Sequence, residues 1–326
     1  MSRAIGLDIG GTNTKVGIVN DKGEILYNDI WLTPKSPPDV SLSILADYID
    51  EFLEENNIDF ESLSGIGVGF PGIINSKTGV IEAAPNLKDW AGINIIELMS
   101  EKFGEKVIVD NDANLAAYAE FIWGNGQNKD PLILLTLGTG VGGGIIIDGK
   151  IFHGVIGGAA EFGHQTIERD GRNCNCGNRG CLEAIIGNRG IVARTWKLLR
   201  NDKGSLLWEM MGNAFDSLDA EMVGKAARDS DRTALIIANQ TAEALGVGMA
   251  NLINIFNPEC LLIAGGMIEW GEELLLKPAI KEAKKRSFKL HFKTCEIKFA
   301  SSGIWSGLIG AAGLIMKDRS VNSIDR

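Results

Sequence analysis

Twice along this chain an apolar run stops at a cluster of glycines and then resumes at once. Residues 4–9 read as a buried strand, Gly10-Gly11-Thr12-Asn13-Thr14 as a turn and residues 15–19 as a second strand. Residues 132–137, 138–144 and 145–147 repeat the same plan. Adjacent glycines let backbone N–H groups approach an anion closely, and a threonine hydroxyl adds a donor. One such turn is an ordinary hairpin, but two, each opening its own half of the chain, point to a duplicated domain with a phosphate clamp from each half. Asp8 closes the first strand just before its turn, where a carboxylate can hold Mg²⁺ through water. The first turn is neither G-x-x-x-x-G-K-[ST] nor G-x-G-x-x-G, so it is not a P-loop or a dinucleotide fingerprint.

At 326 residues the chain exceeds the size at which a single core usually stops growing, and two domains are expected. Its 41 glycines cluster in turns between apolar runs and form no repeat. Thirty-two basic and 42 acidic residues leave a net charge of −10 with no basic run, which argues against nucleic acid and anionic membrane as partners. Met1-Ser2-Arg3 leads straight into a strand without the charged, apolar and small-residue regions of a signal peptide. The longest apolar run, residues 131–147, is interrupted by glycines and threonines and does not read as a membrane span. A cytoplasmic protein is the expectation, given thiols better explained by a metal than by disulfides.

Those thiols lie in residues 161–183, EFGHQTIERDGRNCNCGNRGCLE. Cys174, Cys176 and Cys181 are spaced C-x-C-x4-C, with His164 ten residues upstream of the first. Three thiolates and one imidazole suit zinc, and four protein ligands leave no open position for water, so the ion is expected to be structural. The alternative is three free thiols in a flexible loop. A stretch of Gly, Asn and Arg, however, has no apolar side chains with which to pack itself. Closing this loop would bring Glu161 and Glu183 together, where two carboxylates and an imidazole could hydrogen-bond a polyol; the bland reading leaves both as solvated surface charges.

Elsewhere the spacing predicts a strand over 24–32, a helix over 40–56, a strand over 65–70 ending at Pro71-Gly72, a polar loop with Asn86, and a helix over 94–103. A strand over 106–109 runs into Asp110-Asn111-Asp112, followed by a helix over 113–123. Asp112 thus stands at the mouth of an α/β sheet, where ligands bind, or caps the helix; the two roles are compatible. Asp231 is the candidate N-cap of a long helix that runs to Phe256 and stops at Asn257-Pro258. A strand over 260–264 ends at a third glycine turn, Gly265-Gly266, consistent with packing against a flat base. Helices over 272–284 and 304–316 complete the chain, and Cys260 and Cys295 read as core residues.

Together these motifs resemble the ROK family (repressor, open reading frame, kinase) of sugar kinases over nearly the whole chain. The resemblance rests on Asp8-Ile9-Gly10-Gly11-Thr12, Asn86, Asn111-Asp112, Leu137-Gly138-Thr139-Gly140, Glu161-x-Gly163-His164, the three cysteines and Gly265-Gly266. It implies an α/β, actin-like or hexokinase-type ATPase fold, a duplicated ribonuclease-H-like motif with two domains around a cleft. The small domain would be residues 1–120, completed by a C-terminal helix over 303–318, and the large one residues 121–302, carrying the zinc loop 161–183.

Carried over residue by residue, the resemblance implies Asp112 as general base, with Gly72, Asn86, Asn111, Glu161, His164 and Glu183 holding the sugar. His164 would serve twice, one nitrogen on zinc and the other facing the sugar. Gly10, Gly11, Thr12, Asn13, Thr139 and Gly140 would hold ATP phosphates, Asp8 would organise Mg²⁺, and Gly265-Gly266 would border adenosine. The implied activity is ATP-dependent phosphorylation of a hexose in carbohydrate metabolism. The run from Cys174 to Glu183 looks like the glucokinase version, with mannose, fructose or N-acetylmannosamine as alternative sugars. The resemblance also implies a homo-oligomer, dimer or tetramer. Repressors of the family resemble the kinases but carry a DNA-binding segment ahead of the first glycine turn, whereas here seven residues precede Asp8. A sugar sensor without catalysis is the remaining alternative, disfavoured by an intact Asp112 and both phosphate turns.

Overall fold

The structure, a computed structural model, describes residues 2–84, 87–104 and 106–317. Its first sheet is built from β1 (Arg3–Ile9), β2 (Asn13–Asn20), β3 (Ile25–Leu32) and β4 (Ile66–Phe70). After a short hairpin of β5 (Ile73–Asn75) and β6 (Val80–Ala83), β7 (Val107–Asn111) completes it in the order β3-β2-β1-β4-β7. β1, β2 and β3 form an antiparallel meander, while β4 and β7 add in parallel on the other side of β1. β8 (Leu132–Leu137), β9 (Val141–Ile147), β10 (Lys150–Ile151), β11 (Cys260–Ala264) and β12 (Glu296–Phe299) make a second sheet in the order β10-β9-β8-β11-β12. Position for position the two orders match, which is the duplication announced by the paired glycine turns. β4 and β11 are buried along their whole length, as parallel strands covered on both faces must be.

Contacts divide the chain into two units. The first comprises Met1–Asn128, Gly144–Ala159 and Ser302–Arg326, the second Lys129–Gly143 and Ala160–Ser301. Residues 121–128 and 144–159, expected in the large domain, fall in the first unit. For residues 144–159 the ties are Gly144 lying against the backbone of Ala113 and His153 bonding Asp110. In that unit the Ser306–Lys317 helix packs backbone to backbone. A Cβ on Gly67 would stand 1.9 Å from the Ala311 carbonyl oxygen, and one on Gly310 1.8 Å from that of Leu115. The Asp112–Ile122 helix is thereby fixed against the closing helix, and the closing helix against the sheet.

Three local readings need correction. The second glycine turn is shorter than 138–144, because Gly142, Gly143 and Gly144 lie within β9. There they make room for neighbours: a Cβ on Gly143 would fall 2.3 Å from the Phe162 ring. The helix expected over 272–284 opens as one π turn, Glu272–Leu276, before Lys277–Arg286. Pro278 supplies no N–H for the bond a regular helix needs there. Asp112 is the first helical residue and not the cap, because Asn111 Oδ1 accepts from the N–H groups of Ala113 and Asn114. The long helix behaves as read: Arg232–Phe256 is capped by Asp231 and ends at Asn257 with φ +45°. Cys260 is buried, whereas Cys295 is only partly so.

Candidate active site

In the first unit the residues gather at the ends of β1 and β7. The Gly10 N–H bonds the Asn13 carbonyl at 3.0 Å and Thr33 Oγ1 donates to the Gly10 carbonyl at 2.7 Å, so the turn is held from below. Gly11, Thr12 and Asn13 are left exposed. Beneath them the Asp8 carboxylate pairs with Lys15 Nζ at 3.2 Å. Lys15 was read only as a strand residue; its place opposite Asp8 follows from β1–β2 pairing, in which the two are register partners.

Asp112 shares this environment. Burial pushes its carboxyl up to about 6, the negative charge of Asp8 adds to the rise, and Lys15 and the Ala113 N–H hold it back only in part. A carboxylate near 6 is still ionised at neutral pH yet binds a proton far better than an ordinary aspartate. Asn111 has its amide committed within the fold, since Nδ2 donates to the Gly72 carbonyl at 3.0 Å while Oδ1 caps the helix. It therefore ties Gly72 to the start of the helix that Asp112 opens. Asn86 lies outside the described residues. Sequence reading missed His153, whose Nε2 meets the fully buried Asp110 carboxylate at 2.6 Å. Burial alone would lower the pKa of this imidazole, but the Asp110 hydrogen bond and charge outweigh it and hold it above its usual value.

In the second unit the turn between β8 and β9 closes with a Gly138 N–H to Gly140 carbonyl bond of 3.0 Å. Gly138, Thr139 and Gly266 line one cavity of about 530 Å³ with Asn188, Ala220 and Trp270. Its far wall is fixed by the Trp270 indole, whose Nε1 donates to the Ala220 carbonyl at 3.0 Å. Asn188, Ala220 and Trp270 lie 49 to 131 residues along the chain from Thr139, and nothing in their local sequence marks them as neighbours. Met267 lines the same cavity although it is only 2 % exposed, so its side chain forms part of the wall. Gly265 has φ +89°, and a Cβ there would stand 2.2 Å from the Leu137 carbonyl oxygen. Gly265→Ala should therefore lower the melting temperature through a loss of at least about 1–3 kcal/mol. Thermal denaturation with and without nucleotide would check this, an unchanged melting temperature contradicting the packing described.

The Cys/His loop brings its four side chains together. The donor atoms of His164, Cys174, Cys176 and Cys181 all lie within 4.8 Å of one another. A tetrahedral ion with bonds of about 2.3 Å to sulfur needs ligand–ligand edges of about 3.8 Å. Cys176 and Cys181 Sγ are 3.8 Å apart, and Cys174 Sγ is 3.7 Å from His164 Nδ1, so the donor set fits such an ion. The other imidazole nitrogen, Nε2, stands 3.8 Å from Glu161 Oε2. Partial burial, and after it the charge of Glu183, keep the Glu161 carboxyl above its usual range despite His164. Glu161 stays half exposed. Glu183, by contrast, accepts from the Val141 N–H through Oε2 at 3.0 Å and lies 3.9 Å from Cys174 Sγ through Oε1.

Among the described residues no helix is long and apolar enough to cross a membrane. A glucokinase of Halalkalibacterium halodurans is 36 % identical over 326 residues, covering 99 % of this chain and 97 % of its own length. A xylose repressor of Caldicellulosiruptor bescii is 32 % identical over 96 % of this chain and 78 % of its own length. Among solved structures, a ROK family glucokinase from Streptomyces griseus in complex with glucose and AMPPNP superposes with a TM-score of 0.83. It is 31 % identical and covers 97 % of this chain and all of its own. The sequence model of the ROK family matches residues 4–318, and the chain belongs to that family.

Proposed function

We propose that the protein transfers the γ-phosphoryl group of ATP to a hexose, with glucose as the preferred acceptor, and that Asp112 is the general base. The observation that carries this reading is the Asp112 carboxylate itself, raised to about 6 beside Asp8 at the end of β7. A sugar hydroxyl is a weak nucleophile at neutral pH. As its oxygen forms a bond to the γ-phosphorus and the bond to the bridging oxygen of ADP breaks, its proton passes to an Asp112 oxygen. Asp8 would hold Mg²⁺ through water, which supplies charge neutralisation to the phosphates. The exposed residues Gly11, Thr12 and Asn13 of the first turn and Thr139 of the second are suited to phosphate oxygens, and the 530 Å³ cavity to the nucleoside.

Glu161 and His164 Nε2 would receive sugar hydroxyls, with zinc on the Nδ1 side holding the imidazole's orientation. Zinc is structural in this reading, because all four positions are filled by protein. The glucose preference is supported by the glucokinase relative and by the glucose-bound structure. The same reading makes the protein a cytoplasmic homo-oligomer. A sugar panel tests it: kcat/KM with Mg-ATP for glucose, mannose, fructose, N-acetylglucosamine and N-acetylmannosamine. Glucose should lead by at least about tenfold, since small pocket differences give about 10–200-fold discrimination. A leading N-acetylhexosamine would reassign the sugar, and sugar binding without ADP formation would replace the kinase by a sensor.

A further inference from the structure

The metal loop and the phosphate turn are joined by one side chain. Cys181, the last metal-binding thiol, immediately precedes the Leu182–Ile186 helix, and Glu183 is the second residue of that helix. The Glu183 carboxylate does not simply point to solvent. Oε2 accepts the Val141 N–H at 3.0 Å, and a Cβ on Gly140 would stand 2.5 Å from the same oxygen. Oε1 reaches to 3.9 Å from Cys174 Sγ, so one carboxylate touches both the cysteine cluster and the turn that carries Thr139.

The same short segment grips the turn at a second point and passes on to the nucleoside cavity. The Asn188 N–H donates to the Gly138 carbonyl at 3.1 Å. Asn188 Oδ1 in turn accepts the Ala220 N–H at 2.7 Å, where the helix Ala220–Arg228 begins in the cavity wall. Residues 181–188 thus run from a metal ligand, through the phosphate turn, to the nucleoside pocket without leaving the second unit.

We propose that Glu183 is a positioning residue that transmits metal occupancy to the phosphate turn, so that the metal loop sets nucleotide affinity even when no sugar is bound. This rests on the kinase reading and goes beyond it, because it gives the metal a role in nucleotide binding that the sugar-facing His164 does not provide. An acceptor with a full charge holds the Val141 N–H in place. With the cysteine cluster disordered, the Leu182–Ile186 helix loses the hold of Cys181 at its start, Glu183 shifts with it, and the turn relaxes away from the geometry that meets the phosphates.

The test measures the Kd of a non-hydrolysable ATP analogue with Mg²⁺ and no sugar, on metal-loaded protein, on chelator-stripped protein, and on Glu183→Ala and Glu183→Gln, with metal content determined for each. Glu183→Ala should keep its metal yet bind the analogue about tenfold more weakly, a change of about 1.4 kcal/mol. Glu183→Gln retains an acceptor oxygen for Val141 and should stay within about threefold of wild type. Stripping should cost a similar tenfold, restored by zinc, and stripping the Glu183→Ala protein should add nothing, because the two changes break one connection. Additive losses, or an unchanged Kd in either Glu183→Ala or stripped wild type, would overturn the coupling. If Glu183→Ala does not fold, the stripped wild type and Glu183→Gln decide the matter. Wild-type protein that fails to bind the analogue at all would refute the kinase reading instead.

Discussion

Asp112→Asn is expected to lower kcat by about 10²–10⁴-fold, the usual share of a general base, while making the protein more stable. The stability gain follows from the pKa. The Asp112 carboxyl is raised from 3.8 to about 6, so above pH 6 the folded protein carries a charge that the unfolded chain bears more easily. The penalty grows between those two values and is absent below both, where each state is protonated. A difference of roughly two units at about 1.4 kcal/mol each makes it about 3 kcal/mol at neutral pH, which asparagine removes. Asparagine keeps an oxygen for the Ala113 N–H, so the helix start survives. The wild-type counterpart is a kcat/KM that falls about tenfold per pH unit below about 6, as the base takes up its proton. Melting curves at pH 7.5 and a pH–rate profile check both halves. A variant that loses stability, or a rate flat down to pH 5, would contradict the environment assigned to Asp112.

Cys176→Ser should be nearly as damaging as Cys181→Ser, although the first side chain is exposed and the second fully buried. An exposed cysteine with no ligand role changes stability by no more than about 0.5 kcal/mol when replaced by serine. A zinc ligand is different, since the binding free energy of a structural site, on the order of 10 kcal/mol in small zinc domains, is folding free energy. The Asn178 N–H already holds the Cys176 thiol below its usual range, which favours the thiolate a metal needs. Either variant should therefore lose the metal, about one zinc per chain in the wild type, and melt several kcal/mol earlier. Elemental analysis with calorimetry measures both. A Cys176→Ser protein of wild-type stability would mean free thiols.

The parts of this molecule that were legible in the sequence are those whose constraint is local. Strand–glycine–strand patterns gave β1–β2 and the start of the second sheet, Asp231 and Asn257 bracketed the long helix, and C-x-C-x4-C with His164 gave a donor cluster. What depends on contacts far along the chain was not visible. His153 finds Asp110 only because residues 144–159 return to the first unit, and Trp270 meets Ala220 fifty residues away. Asn111 took the cap in place of Asp112 for a related reason. Either residue type can cap, and the choice was made by strand β7 continuing two residues further, to Asn111, which fixed Asn111 in extended backbone and left Asp112 as the first helical residue. Glu183 was placed at the sugar by its neighbourhood, but its bond to Val141 depends on how the loop folds back on β9.

The most direct measurement is product formation from glucose and Mg-ATP, following ADP and glucose 6-phosphate together in wild type and in Asp112→Asn. The proposed transfer predicts one glucose 6-phosphate for each ADP in the wild type, and loss of both products in the variant while glucose and nucleotide still bind. ADP released without phosphorylated sugar, or an Asp112→Asn protein that turns over at close to the wild-type rate, would contradict it.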